Sequence, residues 1–207
     1  MDQSEKFWNK IAQKYAKQAI EDEASYTKKL EITRTHLQPN MKVLEIGCGT
    51  GSTAISHAPY VKHIHAVDIS SKMIEIAQNK ASECNIDNIT FEHTTIDALH
   101  LTDNSLDIVL GLSILHLLED KEAVIRKVYK ALKPGGMFIT STTCLADNMA
   151  FIKYIVPIGR LFGFMPLLKV FTTKELENTL SAAHFNIDYQ WQPSKGKAVF
   201  IVAKKTL

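Results

Sequence analysis

Five short apolar runs alternate with stretches of helical periodicity along the first two thirds of the chain. Val43–Ile46, His63–Val67, Ile89–Glu92, Leu106–Leu110 and Met137–Thr140 read as strands. Ser70 is placed to cap a helix carrying Met73, Ile74, Ala77 and Ala81 on one side. Val124, Val128 and Leu132 form the stripe of another helix, which Lys133-Pro134-Gly135-Gly136 ends as a stop and turn. Strands that alternate with helices pair in parallel, under helices on both faces of the sheet. The tail changes period. Thr172 and Glu175 have capping-box spacing before a helix with Leu176 and Leu180. Phe185, Ile187, Tyr189 and Trp191 then alternate, Pro193–Gly196 turns, and Ala198–Ala203 returns as an apolar run. Two strands joined so tightly are antiparallel neighbours.

At 207 residues the chain is long enough for one sizeable domain, taken as residues 1–207. Phe7, Ile11 and Tyr15, with Trp8 beside them, make an amphipathic opening helix, and a second helical stretch stops near Pro39. Net charge is +2, which gives no electrostatic case for nucleic acid or an anionic membrane. Cys48, Cys84 and Cys144 make neither an even framework nor a CxxC pair, so a reduced, cytoplasmic setting is expected. Residues 149–171 are mostly apolar, but Lys153, Arg160, Lys169, Pro157, Gly159, Gly163 and Pro166 interrupt them. No stable membrane insertion is expected of such a stretch.

The first strand runs into VLEIGCGTG, with glycines at 47, 49 and 51. Alternate glycines allow a sharp bend and a close approach to the backbone. In open parallel sheets, ligands sit beyond the carboxyl ends of strands. Asp68, at the end of the second strand, can accept hydrogen bonds from ribose hydroxyls there. The spacing is G-x-G-x-G followed by Ser52, not the G-x-G-x-x-G of a dinucleotide site, and no Gly-Lys-Ser/Thr of a phosphate loop follows.

VLEIGCGTG, HAVDIS, LDIVLGLSILHLLED and VYKALKPGGMFITST, in this order, resemble the class I S-adenosylmethionine-dependent methyltransferases. The likeness covers residues 40–142 and is strongest to the subgroup of ubiquinone and menaquinone biosynthesis methylases. It implies a Rossmann-like, doubly wound α/β fold. The sheet would be seven-stranded and mostly parallel, with an antiparallel C-terminal strand and helices on both faces. S-adenosylmethionine would be the cofactor and S-adenosylhomocysteine the product.

The resemblance assigns the methionine end of that cofactor to Gly47, Cys48, Gly49 and Gly51, with Glu45 supporting the loop. Asp68 would take the ribose hydroxyls, and Ile69 and Met73 would line the adenine. At the adenine edge, Ile96 would contribute backbone and Asp97 would hold the amino group, with Thr95 open as its substitute. His116, after the fourth strand, is a catalytic candidate as general base, and a pocket wall is the other role open to it. Tyr15 is either a lid residue over the methionine end or a core contact of its helix. Residues 1–38 would form that helical lid. Cys48 is a small loop filler, and Cys144, expected to be more open, is a pocket wall or a reactive thiol. His63 and His65 share a strand face without a third ligand, so no metal is expected.

In the family the segment equivalent to 144–171 covers the active site and chooses the acceptor. Its aromatic and aliphatic content here points to a small, apolar or uncharged acceptor, because an apolar pocket does not compensate a desolvated charge. Packing on the domain, or a dimer contact, would use the same side chains. The attacked atom (O, S, N or C) stays open, as does monomer against homodimer. Nucleic acid is not expected, for want of a base-methylase motif or a dense basic stripe. A non-catalytic binder of the cofactor, either a sensor or a partner subunit, is the alternative.

Overall fold

The computed structural model describes residues 3–206. Its elements alternate along the chain as α1 (Gln3–Ala16), α2 (Glu23–Arg34), β1 (Lys42–Ile46), α3 (Ser52–His57), β2 (His63–Asp68), α4 (Ser71–Glu83) and β3 (Ile89–His93). Then come β4 (Leu106–Leu112), α5 (Lys121–Ala131), β5 (Leu132–Thr142), α6 (Ala146–Met149), α7 (Ile152–Leu161), α8 (Thr173–Ala182), β6 (Phe185–Trp191) and β7 (Val199–Lys205). The strands make a seven-stranded sheet in the order β3-β2-β1-β4-β5-β7-β6. β1 with β2, β2 with β3, and β4 with β5 are parallel, whereas β7 runs antiparallel to both β5 and β6. This is the expected Rossmann-like layout. The residues group into two compact units, one reaching to Leu99 and one starting at His100.

In the first unit, Val43, Leu44, Glu45 and Ile46 are buried without alternation, the mark of a strand covered on both faces. α4 begins as expected, with the Ser70 hydroxyl accepting from the Met73 N–H at 3.1 Å, and buries Met73, Ile74, Ala77 and Ala81. α1 is tied to this helix start by Asn9, whose Oδ1 accepts from the Ser70 hydroxyl at 2.7 Å and the Lys72 N–H at 3.1 Å.

In the second unit, the Thr172–Glu175 capping box forms in full. Two expectations are corrected. Leu132 is not the last rung of a helical stripe but the first residue of β5, in extended backbone with ψ 138°. Lys133–Gly136 does stop the helix, yet it lies inside β5 as an irregular stretch opposite the register shift between Leu106 and Ile108, with Gly135 at φ +78°. Leu132 and Met137 keep the register with Leu106 and Ile108, so the four residues between them bulge from the ladder without ending the strand. Val199–Ala203 is buried throughout, as suits a strand flanked on both edges. Among the described residues no helix is long and apolar enough to cross a membrane.

Candidate active site

The glycine loop is bent by the conformations its sequence permits. Gly47, Gly49 and Gly51 have φ of +68°, +52° and +75°, where a Cβ is strained. The N–H groups of Gly47 and Cys48 both donate to the Val67 carbonyl, at 2.8 and 3.0 Å, which holds the loop against the end of β2. At Gly51 an added Cβ would lie 2.8 Å from the Ala77 Cβ and 3.0 Å from the Phe91 ring. This glycine lets α4 and β3 pack close. At Gly49 the space is open: an added Cβ would meet only the Tyr15 ring edge, at 4.0 Å.

Asp68 braces the same bend. One carboxylate oxygen accepts from the Gly49 N–H at 2.8 Å and the other from the Ser70 N–H at 2.8 Å. Each oxygen therefore keeps a free lone pair. Burial raises the Asp68 pKa, and the Ser70 and Gly49 N–H groups and His93 oppose that rise. Glu45, only 3 % exposed, is pushed up to about 8 by burial and then by the Asp68 charge. Its Oε2 is buried with no partner. Cys48 is buried between them, its thiol pushed well up by burial and then by Glu45 and Asp68, so it is an inert filler of the loop.

Tyr15 is 46 % exposed as a residue. Its hydroxyl nevertheless lies at the sheltered end, where burial and then Asp68 raise its pKa. The ring packs edge-on to Trp8, centroids 6.4 Å apart. Tyr15 thus reaches the glycine loop from α1, as a lid residue would. Ile69 is half-buried, and its carbonyl accepts from His93 Nε2 at 2.9 Å. Met73 is 2 % exposed, so its side chain is taken up by the packing of α4. Ile96 is buried and Asp97 exposed. The Thr95 hydroxyl accepts from the Ala98 N–H at 3.1 Å.

Two contributors had escaped sequence reasoning. Asn9 anchors α1 to the start of α4, and Lys80 reaches back to the Thr50 hydroxyl at 3.1 Å and the Ser52 hydroxyl at 3.4 Å. Neither belongs to a motif. Their partners lie 61 and about 30 positions away, so no local pattern could flag them.

In the second unit, Ser113 turns the chain after β4 at φ +59°, its N–H donating to the Ser141 carbonyl at 2.7 Å. His116 follows in a short 3-10 turn, and its own carbonyl accepts from the Lys169 N–H at 2.8 Å. Burial pulls its imidazole down to about 4, and its Nδ1 is buried with no partner. It is therefore neutral at neutral pH: a hydrogen-bonding group, with little capacity to retain a proton. Buried hydroxyls without partners lie on β5 at Thr140, Ser141 and Thr142. Cys144 corrects an expectation. It is 6 % exposed, not open, and burial pushes its thiol up to about 11, so it is no reactive thiol.

A family model described as "Methyltransferase domain" matches residues 37–184. YcgJ of Bacillus subtilis, named an uncharacterized methyltransferase, is 29 % identical over 132 residues, 64 % of this chain and 52 % of YcgJ. The crystal structure of YcgJ superposes with a TM-score of 0.72 at 19 % identity, covering 87 % of this chain and 99 % of that one, a likeness of fold alone. Phosphoethanolamine N-methyltransferase 1 of Arabidopsis thaliana is 32 % identical over 64 % of this chain and 28 % of its own. Demethylmenaquinone methyltransferase of Listeria monocytogenes is 28 % identical over 61 % of this chain and 58 % of its own. The matched part thus spans from about a quarter to little more than half of each curated relative.

Proposed function

The chain belongs to the methyltransferase-domain family, and from that membership we propose that it moves a methyl group from S-adenosylmethionine to a small, apolar or uncharged acceptor. The observation that carries this reading is the brace at Asp68. One carboxylate fixes the glycine bend and the start of α4 while keeping a lone pair on each oxygen for a diol.

The surrounding residues fit the cofactor. Gly49 faces open space under Tyr15, and Glu45, orphaned at Oε2 and protonated near neutral pH, would release its proton on pairing with a cationic group at the methionine end. Gly47, Cys48, Gly49 and Gly51 would hold the amino-acid end, Asp68 the ribose, Ile69 and Met73 the adenine face, and Ile96 and Asp97 its edge. When bound, the sulfonium supplies an electrophilic methyl carbon whose bond to sulfur breaks as the acceptor lone pair bonds to it. The chain has to align the acceptor and exclude water, and alignment alone contributes much of the rate. His116 would do so as a neutral hydrogen-bonding wall, and as a poor proton acceptor, because burial disfavours its imidazolium form.

The buried apolar side chains of segment 144–171, Val156, Leu167 and Phe171, support an apolar acceptor. Among the relatives, the name demethylmenaquinone methyltransferase fits that kind of acceptor better than phosphoethanolamine N-methyltransferase does. Calorimetric titration with S-adenosylmethionine and S-adenosylhomocysteine, followed by product release over a panel of quinols, phenols and thiols, tests the proposal. Failure of both compounds to bind would remove it. Binding without turnover on the whole panel would leave a non-catalytic binder.

A further inference from the structure

α7 faces the wrong way for a helix that only packs on its own domain. Phe151, Tyr154, Ile155, Ile158, Leu161 and Phe162 recur at three- and four-residue spacing, so they share one stripe. All six are exposed, from 48 % at Ile155 to 78 % at Leu161. Phe164, 76 % exposed, stacks on Phe162 with centroids 6.4 Å apart and extends the stripe past the helix end. The inward side is small. Val156 is buried, and at Gly159 a Cβ would lie 2.7 Å from the Met165 sulfur. That close seat folds the loop after α7 back on the helix's inward side.

α7 itself carries two cations, Lys153 and Arg160, and no acid. Residues 148–174 contain no acid and four cations, Lys153, Arg160, Lys169 and Lys174. Asp147 and Glu175 bound this stretch, Glu119 bridges Arg160 at 3.3 Å and Lys169 at 2.8 Å, and Glu177 meets Lys174 at 3.1 Å, so the positive bias is local to α7. Lys153 lies over the Tyr154 ring, 5.0 Å from its centroid, at the border of the stripe. The overall charge of +2 conceals this local bias.

We propose that the exposed face of α7 docks on an anionic phospholipid surface. The stripe enters the headgroup boundary, and Lys153 at its border, with Arg160 and Lys169 beside Glu119, meets lipid phosphates. A second copy of the chain is the poorer occupant, since it would set the same excess of positive charge against itself. α7 has ten residues, about 15 Å. It lies along a bilayer surface and does not cross it. The proposal stands on this segment alone, whatever the acceptor, and it gives an apolar acceptor dissolved in lipid a route to the protein.

The test is co-sedimentation of the whole protein with vesicles of phosphatidylglycerol and phosphatidylcholine in equal parts, against phosphatidylcholine alone. Sedimentation with the anionic vesicles is expected, weakened several-fold by high salt. Phe162→Ser with Phe164→Ser should weaken it by at least about tenfold, with thermal melting and S-adenosylmethionine calorimetry unchanged. Lys153→Glu should reduce the preference for anionic lipid. Absence of binding to the anionic vesicles, or binding indifferent to the double substitution, overturns the proposal. A dimer in sedimentation velocity that the same double substitution dissolves also overturns it and assigns the face to a second copy.

Discussion

The polar groups at the glycine loop and those at the ends of β4 and β5 are treated differently. Around the glycine loop the protein holds its own groups: Asp68 takes the Gly49 and Ser70 N–H groups, and Val67 takes those of Gly47 and Cys48. In the second unit His116 Nδ1 and the hydroxyls of Thr140, Ser141 and Thr142 are buried without partners, and the helix that follows β5 turns its apolar stripe to solvent. Buried polar groups cost free energy unless bonded, so the first arrangement is complete before a ligand arrives and the second leaves bonds to be made. A site for one fixed ligand profits from being pre-formed. A site whose partner differs between relatives gains by leaving its contacts to that partner. Glu45 is the exception at the loop itself; elsewhere in the first unit Arg34 Nε and both ring nitrogens of His57 are also buried without partners.

The comparison breaks most visibly at Gly51. Gly51→Val sets a branched side chain at φ +75° against Ala77 and Phe91, so urea denaturation should show a loss of about 4 kcal/mol, strain and overpacking together. A loss under about 1 kcal/mol would mean the loop is not tightly packed. Glu45 comes next. With a folded pKa near 8 against an ordinary 4.5, the folded chain keeps a proton that the unfolded chain releases between those values. Its contribution is full below pH 4.5 and is lost as pH rises through 8, on the order of 2–4 kcal/mol in all. His57, pulled down to about 4 by burial and then by Arg34, has the opposite sign: its contribution is full above 6.5 and is lost as pH falls through 4. Comparing wild type with Glu45→Gln by urea midpoints across pH isolates the Glu45 part, and an unaltered slope would contradict it.

Asp68→Ala should weaken S-adenosylmethionine binding by about 1.5–3 kcal/mol in calorimetry, the scale of hydrogen bonds to a charged group. An unchanged dissociation constant would remove the ribose role. The smallest effect is expected at His116. His116→Ala should lower kcat about tenfold, roughly 1.4 kcal/mol, and leave cofactor affinity alone. Because the imidazole titrates near 4, the wild-type kcat profile should show no inflection at the ordinary histidine value. An inflection there that the substitution abolishes would restore the general-base role.

Much of the fold was legible because it rests on short-range causes. The φ values of the loop follow from its three glycines, the Ser70 and Thr172 caps form with partners three residues away, and the strand-helix alternation calls for a parallel sheet. Local pattern fell short at Lys133–Gly136: the stretch bends as it reads, but pairing of Leu132 with Leu106 starts β5 before the bend. The acid at the end of β2 was legible by position, but its double hold on Gly49 and Ser70 was not.

By itself the sequence determined the bend, the acid at the strand end and the family, since each depends on residues close together or in a fixed order. Only the tertiary structure decided which of these groups are desolvated, and hence that Glu45 holds its proton, His116 does not, and Cys144 is buried and inert. It also decided that Asn9 pins α1 and that α7 turns its apolar side outward. Burial and long-range contact depend on which distant segments meet, and no local periodicity encodes that.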